Sequence, residues 1–183
     1  MDLIMAAGSQ TRWNYYKNTP YKIKQLIKVK GEVLIERLQR QFPGAVVITT
    51  NPDIRKHSQQ AITPEHHETL INTILSTHKL WGERNTIILG DVLFMNDEIV
   101  NKIKNCQDDI MFFGNIDEIF AVVFTDNDKM HKHLQQVGKG KLWNLYRSLT
   151  GLSEHKITSF FTFTHDARDF DCVLQYLKYL KSA

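Results

Sequence analysis

Three apolar runs constrain this chain most: Asp2 to Ala7, Ala45 to Thr49, and Thr86 to Leu89. The runs are almost unbroken by polar residues, so both faces of each strand must be covered. That is the pattern of parallel strands buried under helices on both sides of a sheet. The segments between them carry helical spacing or turn residues. Parallel strands need such crossovers, because a tight turn cannot return the chain to the same end of the sheet.

The remaining periodicity fills in the order. A helix is predicted over Gly31 to Gln39, with Val33, Leu34, Leu38 and Phe42 on one face and Pro43-Gly44 as its stop. Asn51-Pro52-Asp53 opens a connection, and Thr63-Pro64-Glu65 has the form of a helix start feeding Leu70, Ile71, Ile74, Leu75 and His78. Further helices are expected over Asp97 to Lys104, Asp126 to Val137 with Asp126 as N-cap, Leu142 to Leu149, and Phe170 to Leu180. Strands are expected over Asp109 to Phe113, Ile119 to Phe124 and Ile157 to Thr164, the first two forming an antiparallel pair. The chain therefore reads as α/β: a three-layer α/β/α sandwich with a mostly parallel, Rossmann-like central sheet, in one domain over residues 1–183.

Composition excludes several classes. The 183 residues are 42% hydrophobic and 23% charged, ordinary values for a chain able to bury a core. No apolar run reaches the roughly 18–20 residues that a membrane helix needs. The N-terminus lacks the basic region and cleavage site of a signal peptide, so a cytoplasmic setting is expected. Cys106 and Cys172 have no metal-type spacing and read as buried free thiols. The net charge of +3 is below that of a dedicated nucleic-acid binder, so nucleic acid is not the expected partner. Arg12, Lys17, Lys22, Lys24, Lys28 and Lys30 nevertheless crowd one early stretch, which suits either an anionic ligand or a solvated loop.

In open α/β sheets, ligands bind beyond the carboxyl ends of the strands. Strand one ends in Ala6-Ala7-Gly8-Ser9-Gln10-Thr11-Arg12, small residues that let backbone N–H groups approach phosphate, then an arginine fork suited to it. A tight turn with a surface arginine is the competing reading. The loop is neither the Walker pattern nor Gly-x-Gly-x-x-Gly. Strand three ends in Gly90-Asp91, where a carboxylate can hold Mg2+ or cap a turn. The last strand ends in His165-Asp166, with Asp169 and Asp171 beyond, acidic groups that suit a metal or a helix N-terminus. His66-His67 and His131-x-His133 read as surface histidines, and Lys139 and Lys141 as a solvated loop. Trp81, Trp143 and Tyr146 read as core, whereas Trp13, Tyr15, Tyr16 and Tyr21 are placed to stack on a base or cover the site.

Taken in order, these pieces resemble the nucleotidyltransferases of glycosyltransferase-A-like fold. Leu3-Ile4-Met5-Ala6-Ala7-Gly8-x-x-Thr11-Arg12 is similar to their opening signature, and Lys24-Gln25-Leu26 to their Lys-x-Leu element. Gly31 to Glu36 is similar to the segment opening their first helix, and Leu89-Gly90-Asp91 to their strand-end metal aspartate. The sequence departs at Gln10, where the family favours glycine, at Ile23, where it favours proline, and in the acidic ending. In size the chain resembles the compact molybdenum-cofactor guanylyltransferases.

The resemblance implies a Mg2+-dependent transfer of a nucleoside monophosphate from an NTP to a small phosphorylated acceptor, with a sugar phosphate as one such acceptor and pyrophosphate as the other product. It implies that Ala6, Ala7, Gly8, Ser9, Gln10 and Thr11 cradle the nucleotide and that Arg12 neutralises the departing pyrophosphate. Lys24 would stabilise charge at the α-phosphate. Asp91 would hold the metal with Asp166 or Asp171, Asp166 being preferred as a strand end. Asn51 and Thr69 fall where the family contacts the base. Two competitors remain: a glycosyltransferase of this fold using a nucleotide-sugar donor, and a non-catalytic nucleotide-binding descendant.

Overall fold

A computed structural model describes residues 1–8, 22–115, 117–152 and 161–169, together with 176, 178 and 179. Strand β1 (Asp2–Met5) leads, across residues 6–23, to a 3-10 turn at Lys24–Leu26 and a short hairpin, β2 (Lys28–Val29) and β3 (Glu32–Val33). There follow α1 (Leu34–Gln41), β4 (Val46–Ile48), α2 (Pro52–Lys56), β5 (Ala61–Ile62), α3 (Leu70–Ser76), β6 (Asn85–Leu89), β7 (Val92–Phe94) and α4 (Asp97–Asn105). The chain continues as β8 (Ile110–Gly114), β9 (Ile119–Phe124), α5 (Asn127–Val137), α6 (Leu142–Thr150), β10 (Phe161–Phe163) and β11 (Ala167–Asp169).

Seven strands form one sheet in the order β10-β8-β9-β6-β1-β4-β5. All neighbours are parallel except those of β9, which runs against both β6 and β8. The expected antiparallel pair is thus β8 with β9. The fully apolar strands follow from the layering. Ile4, Val47 and Ile88 face a core closed by α1 and α4, while Leu3, Met5, Val46, Ile48 and Ile87 face a second core closed by α3, α5 and α6. Alternate residues of one strand enter opposite cores, so the middle of each of these strands is apolar on both faces. Trp143 and Tyr146 are buried in the second core as expected, and Trp81 packs edge-on against Phe124.

The structure corrects several boundaries. The segment expected to be helical from Gly31 opens instead as the β2–β3 hairpin, and α1 begins at Leu34. Lys30 and Gly31, at φ of 52° and 85°, build the tight turn between those strands, a geometry that glycine relieves. The helix start expected at Thr63-Pro64 lies at Leu70, where the Thr69 hydroxyl accepts from the Asn72 N–H. The connection at Asn51 is itself a short helix, capped by the Asn51 carbonyl with Pro52 at its first position. Asp126 does cap α5.

Two short strands, β7 and β11, form an additional antiparallel ribbon beyond β6. Val92 and Phe94 join the first core. Leu93 instead meets Ile27, Val29 and Leu34, with Tyr176 and Tyr179 closing over them. The Tyr176 hydroxyl donates to the Lys28 carbonyl at 2.7 Å. Tyr176, Lys178 and Tyr179 are helical, within the expected terminal helix, whose other residues lie outside the described ones, as do residues 157–160.

Ile88 is fully buried at the centre of the sheet. Ile88→Ala is expected to lower unfolding free energy by about 2–5 kcal/mol, read from urea denaturation with an unchanged m-value.

Candidate functional site

The site forms where β1 leaves the sheet. The Ala6 N–H donates to the Ile48 carbonyl at 2.8 Å, and the Gly90 N–H donates to the Met5 carbonyl at 2.9 Å. The Thr49 hydroxyl adds a bond to the Ala6 carbonyl at 3.1 Å. The end of β1 is therefore held between the ends of β4 and β6. A Cβ on Gly90 would lie 2.8 Å from the Met5 oxygen and 3.1 Å from the Ala6 Cβ, so only glycine permits the approach. This contact sets the direction of the next residue, Asp91, in the turn between β6 and β7.

A cleft of about 970 Å³ opens over these strand ends. Ala6, Ala7 and Gly8 line it, with Lys24 and Asp91. Lys24 Nζ, carried by the 3-10 turn, donates to Asp91 Oδ2, and the two side chains are only 15% and 16% exposed. Two residues 67 positions apart thus meet as a half-buried ion pair in the cleft. Ion pairs shielded in this way are less screened than surface ones.

Asn51 and Thr69 also line the cleft, and both are structural nodes. Asn51 Oδ1 accepts from the N–H groups of Asp53 and Ile54 at 2.9 and 3.3 Å. The Thr69 hydroxyl donates to Asn72 Oδ1 at 2.6 Å and accepts from the Gly140 N–H at 3.2 Å. That last bond ties residues 138–141 to the start of α3, helped by Asn72 Nδ2 donating to the Gly138 carbonyl. Lys141, expected in a purely solvated loop, consequently lines the cleft mouth. Exposed His67 is there too, with Lys22, Gln25, Glu68 and Glu118. Lys22, Gln25 and Glu118 had no strand-end context in the sequence; the folding back of loops alone brings them in.

The acidic groups divide. The Asp166 carbonyl accepts from the Met95 N–H at 2.7 Å, and from there β11 runs back along β7, pairing Ala167 with Phe94, Arg168 with Leu93 and Asp169 with Val92. The backbone of Asp166 therefore meets that of Met95, four residues along the chain from Asp91. Asp169 is the residue brought opposite the neighbour of Asp91. Asp171 lies outside the described residues, as do Ser9, Gln10, Thr11 and Arg12, the aromatics at 13, 15, 16 and 21, and Cys172. Among the described residues no three His, Cys, Asp or Glu side chains come together as a metal cluster. His131 stacks on His78 with ring centroids 4.2 Å apart, and burial followed by the neighbouring imidazole holds its pKa below the usual value. Burial pushes the half-buried Cys106 thiol up.

No sequence-family model matches the chain, and no curated protein matches it in sequence. Solved structures do match in fold. A nucleotidyl transferase from Methanothermobacter thermautotrophicus superposes with a TM-score of 0.74 at 13% identity, over 100% of this chain and 98% of that one. The 4-diphosphocytidyl-2C-methyl-D-erythritol synthase of Anaerococcus prevotii gives 0.69 at 12% identity, over 98% and 95%. The CTP:phosphocholine cytidylyltransferase LicC of Streptococcus pneumoniae gives 0.67 at 13% identity, over 99% and 97%. The chain has the nucleotide-diphospho-sugar transferase fold that these nucleotidyltransferases share. Among the described residues, no helix is long and apolar enough to cross a membrane.

Gly90→Ala forces a methyl group against backbone. It is expected to cost about 1–3 kcal/mol in stability, read as a lowered denaturation midpoint, because β1 and β6 must part to admit it.

Proposed function

We propose that the protein is a nucleotidyltransferase that transfers a nucleoside monophosphate from an NTP to a small phosphorylated acceptor. The observation carrying this reading is the Lys24–Asp91 pair, held in a large cleft at the carboxyl ends of β1 and β6 beside Ala6, Ala7 and Gly8. A cation and a carboxylate side by side, next to a backbone of small residues, suit a triphosphate better than a neutral ligand. The fold supports the same class, since the solved structures that share it include a nucleotidyl transferase and a CTP:phosphocholine cytidylyltransferase.

In this reading an oxygen of the acceptor phosphate forms a bond to the α-phosphorus. The bond from that phosphorus to the bridging β-oxygen breaks, and its electron pair leaves with pyrophosphate. The chain's own groups act by position and charge. The backbone from Ala6 to Thr11 cradles the nucleotide, Lys24 stabilises the charge growing on the α-phosphate, and Arg12 neutralises pyrophosphate as it departs. Until a nucleotide arrives, Lys24 and Asp91 neutralise each other; the phosphates then replace the carboxylate as partner of the ammonium. Asn51 and Thr69, fixed by their capping bonds, are the proposed contacts for the base.

The donor set fits Mg2+, which takes oxygen ligands and is commonly held by one or two carboxylates together with substrate phosphates. Asp91 is one such carboxylate. The direction of β11 supports Asp171 over Asp166 as the second, because from Ala167 to Asp169 the strand runs antiparallel to β7, from Phe94 toward Val92, the neighbour of Asp91. Bound there, Mg2+ supplies neutralising charge to the phosphates.

Pyrophosphate release should be measured with each NTP, Mg2+ and a broad panel of phosphorylated acceptors. Turnover by the native chain is expected to fall about 10²–10³-fold in Lys24→Ala and in Asp91→Asn, the scale of losing one preorganised charge contact. Native protein that never exceeds these variants anywhere on the panel would sink the proposal. In the same assay, Asp171→Asn is expected to impair turnover far more than Asp166→Asn; the reverse order would return the second metal position to Asp166.

A further inference from the structure

The cleft draws its two lysine-bearing walls from opposite faces of the sheet. Lys24 sits on a turn whose neighbours Ile23 and Leu26 pack on the first core. Lys141 sits on a turn flanked by Val137, Leu142 and Trp143, which pack in the second core. Both lysines line the cleft, whose volume of about 970 Å³ lies at the upper end of the range for small-molecule sites. That is room for an acceptor beside a nucleotide.

The turn carrying Lys141 is held on both sides. The Gly140 N–H donates to the Thr69 hydroxyl, and the Gly140 carbonyl accepts from the Ile71 N–H, each at 3.2 Å. The Lys141 N–H donates to Asn144 Oδ1 at 3.0 Å. At Gly140 φ is 122°, and a Cβ would lie 2.6 Å from that same Oδ1, so only glycine lets the chain pass. Trp143 Nε1 donates to the Asp117 carbonyl at 3.2 Å, which fastens the segment before Glu118 to the same place. The backbone of Lys141 is therefore fixed on the cleft wall. Lys139, two residues earlier and also exposed, does not line the cleft.

The two lysines differ in their partners. Lys24 is paired with Asp91, whereas Lys141 makes no ion pair among the described residues. Glu68 and Glu118 share the cleft lining with it, and Glu68 lies against His66. From Lys129 to Ser153 the chain contains no Asp or Glu, so no carboxylate of its own segment neutralises Lys141. A cation on a fixed backbone without a carboxylate partner attracts anionic ligands.

We propose that Lys141 is a specificity-determining residue that pairs with an anionic group of the acceptor other than the phosphate that reacts. This rests on the nucleotidyltransferase reading. The reacting phosphate must lie at the α-phosphorus, where Lys24 of the opposite wall already stands, and the nucleoside beside Asn51 and Thr69 is uncharged. What remains for Lys141 is a second negative charge on the acceptor, a carboxylate or a further phosphate.

Calorimetry on the full chain with Mg2+, with and without each NTP, tests this. The probes are two pairs: glucose 1-phosphate with glucose 1,6-bisphosphate, and glycerol 3-phosphate with 3-phosphoglycerate. The native chain is expected to bind the doubly anionic member of at least one pair about tenfold more tightly, the scale of one hydrogen bond to a charged group. Lys141→Gln is expected to erase that preference, while Lys141→Arg and Lys139→Gln keep it, and NTP affinity stays the same in all four proteins. No preference in either pair overturns the proposal. So does a preference lost as fully in Lys139→Gln as in Lys141→Gln, because that marks diffuse charge alone. Loss of NTP binding in Lys141→Gln alongside loss of the acceptors overturns it too. If the native chain binds no NTP, the enzyme reading fails; a preference that still vanishes only in Lys141→Gln then upholds the anion site, and its absence removes both.

Discussion

The contact on which the site depends is the close approach of the ends of β1 and β6 at Gly90. Its N–H reaches the Met5 carbonyl, and its missing Cβ lets the two backbones come together. On the other side, Ala6 is bonded to Ile48. β1 is thereby fixed from both neighbours at the point where it leaves the sheet. The cleft-lining backbone of Ala6 to Gly8 and the carboxylate of Asp91 inherit that rigidity. Any side chain at Gly90, even a methyl group, would separate the strands before any ligand arrived.

A second constraint builds the opposite wall. Asn51 and Thr69 spend their side chains capping α2 and α3, and Thr69 also holds the Gly140 N–H. The start of α3 and one distant loop are joined at Thr69, which brings Lys141 to the cleft. The β2–β3 hairpin is similarly pinned to β7 by Leu93 and covered by Tyr176 and Tyr179. That packing anchors the chain directly after Lys24. The lysine that meets Asp91 is therefore carried on a turn braced by both the first core and the C-terminal residues.

Much of the fold was legible in the sequence, for a physical reason. Leu3 to Met5, Val46 to Ile48 and Ile87 to Ile88 are buried on both faces, so their apolar character cannot be mistaken for an amphipathic strand. The signals that misled were local and weak. Thr63-Pro64 has the chemistry of a helix start, yet β5 and the cap at Thr69 determine where the helix begins. Val92 to Phe94 is too short to announce itself as a strand after Leu89, and its partner β11 lies far along the chain. The preference for Asp166 followed from treating the last strand as one element. The chain in fact turns there and runs back along β7.

By itself, the sequence determined the layered α/β architecture and the small-residue end of β1. These are written in residue type and short-range spacing, which act before the chain is compact. Only the tertiary structure decided that Lys24 pairs with Asp91, that Lys141 and Glu118 reach the cleft, and that Asp166 stands a ribbon's length away. Each of those depends on loops returning across dozens of residues, and no local pattern encodes where such a loop comes to rest.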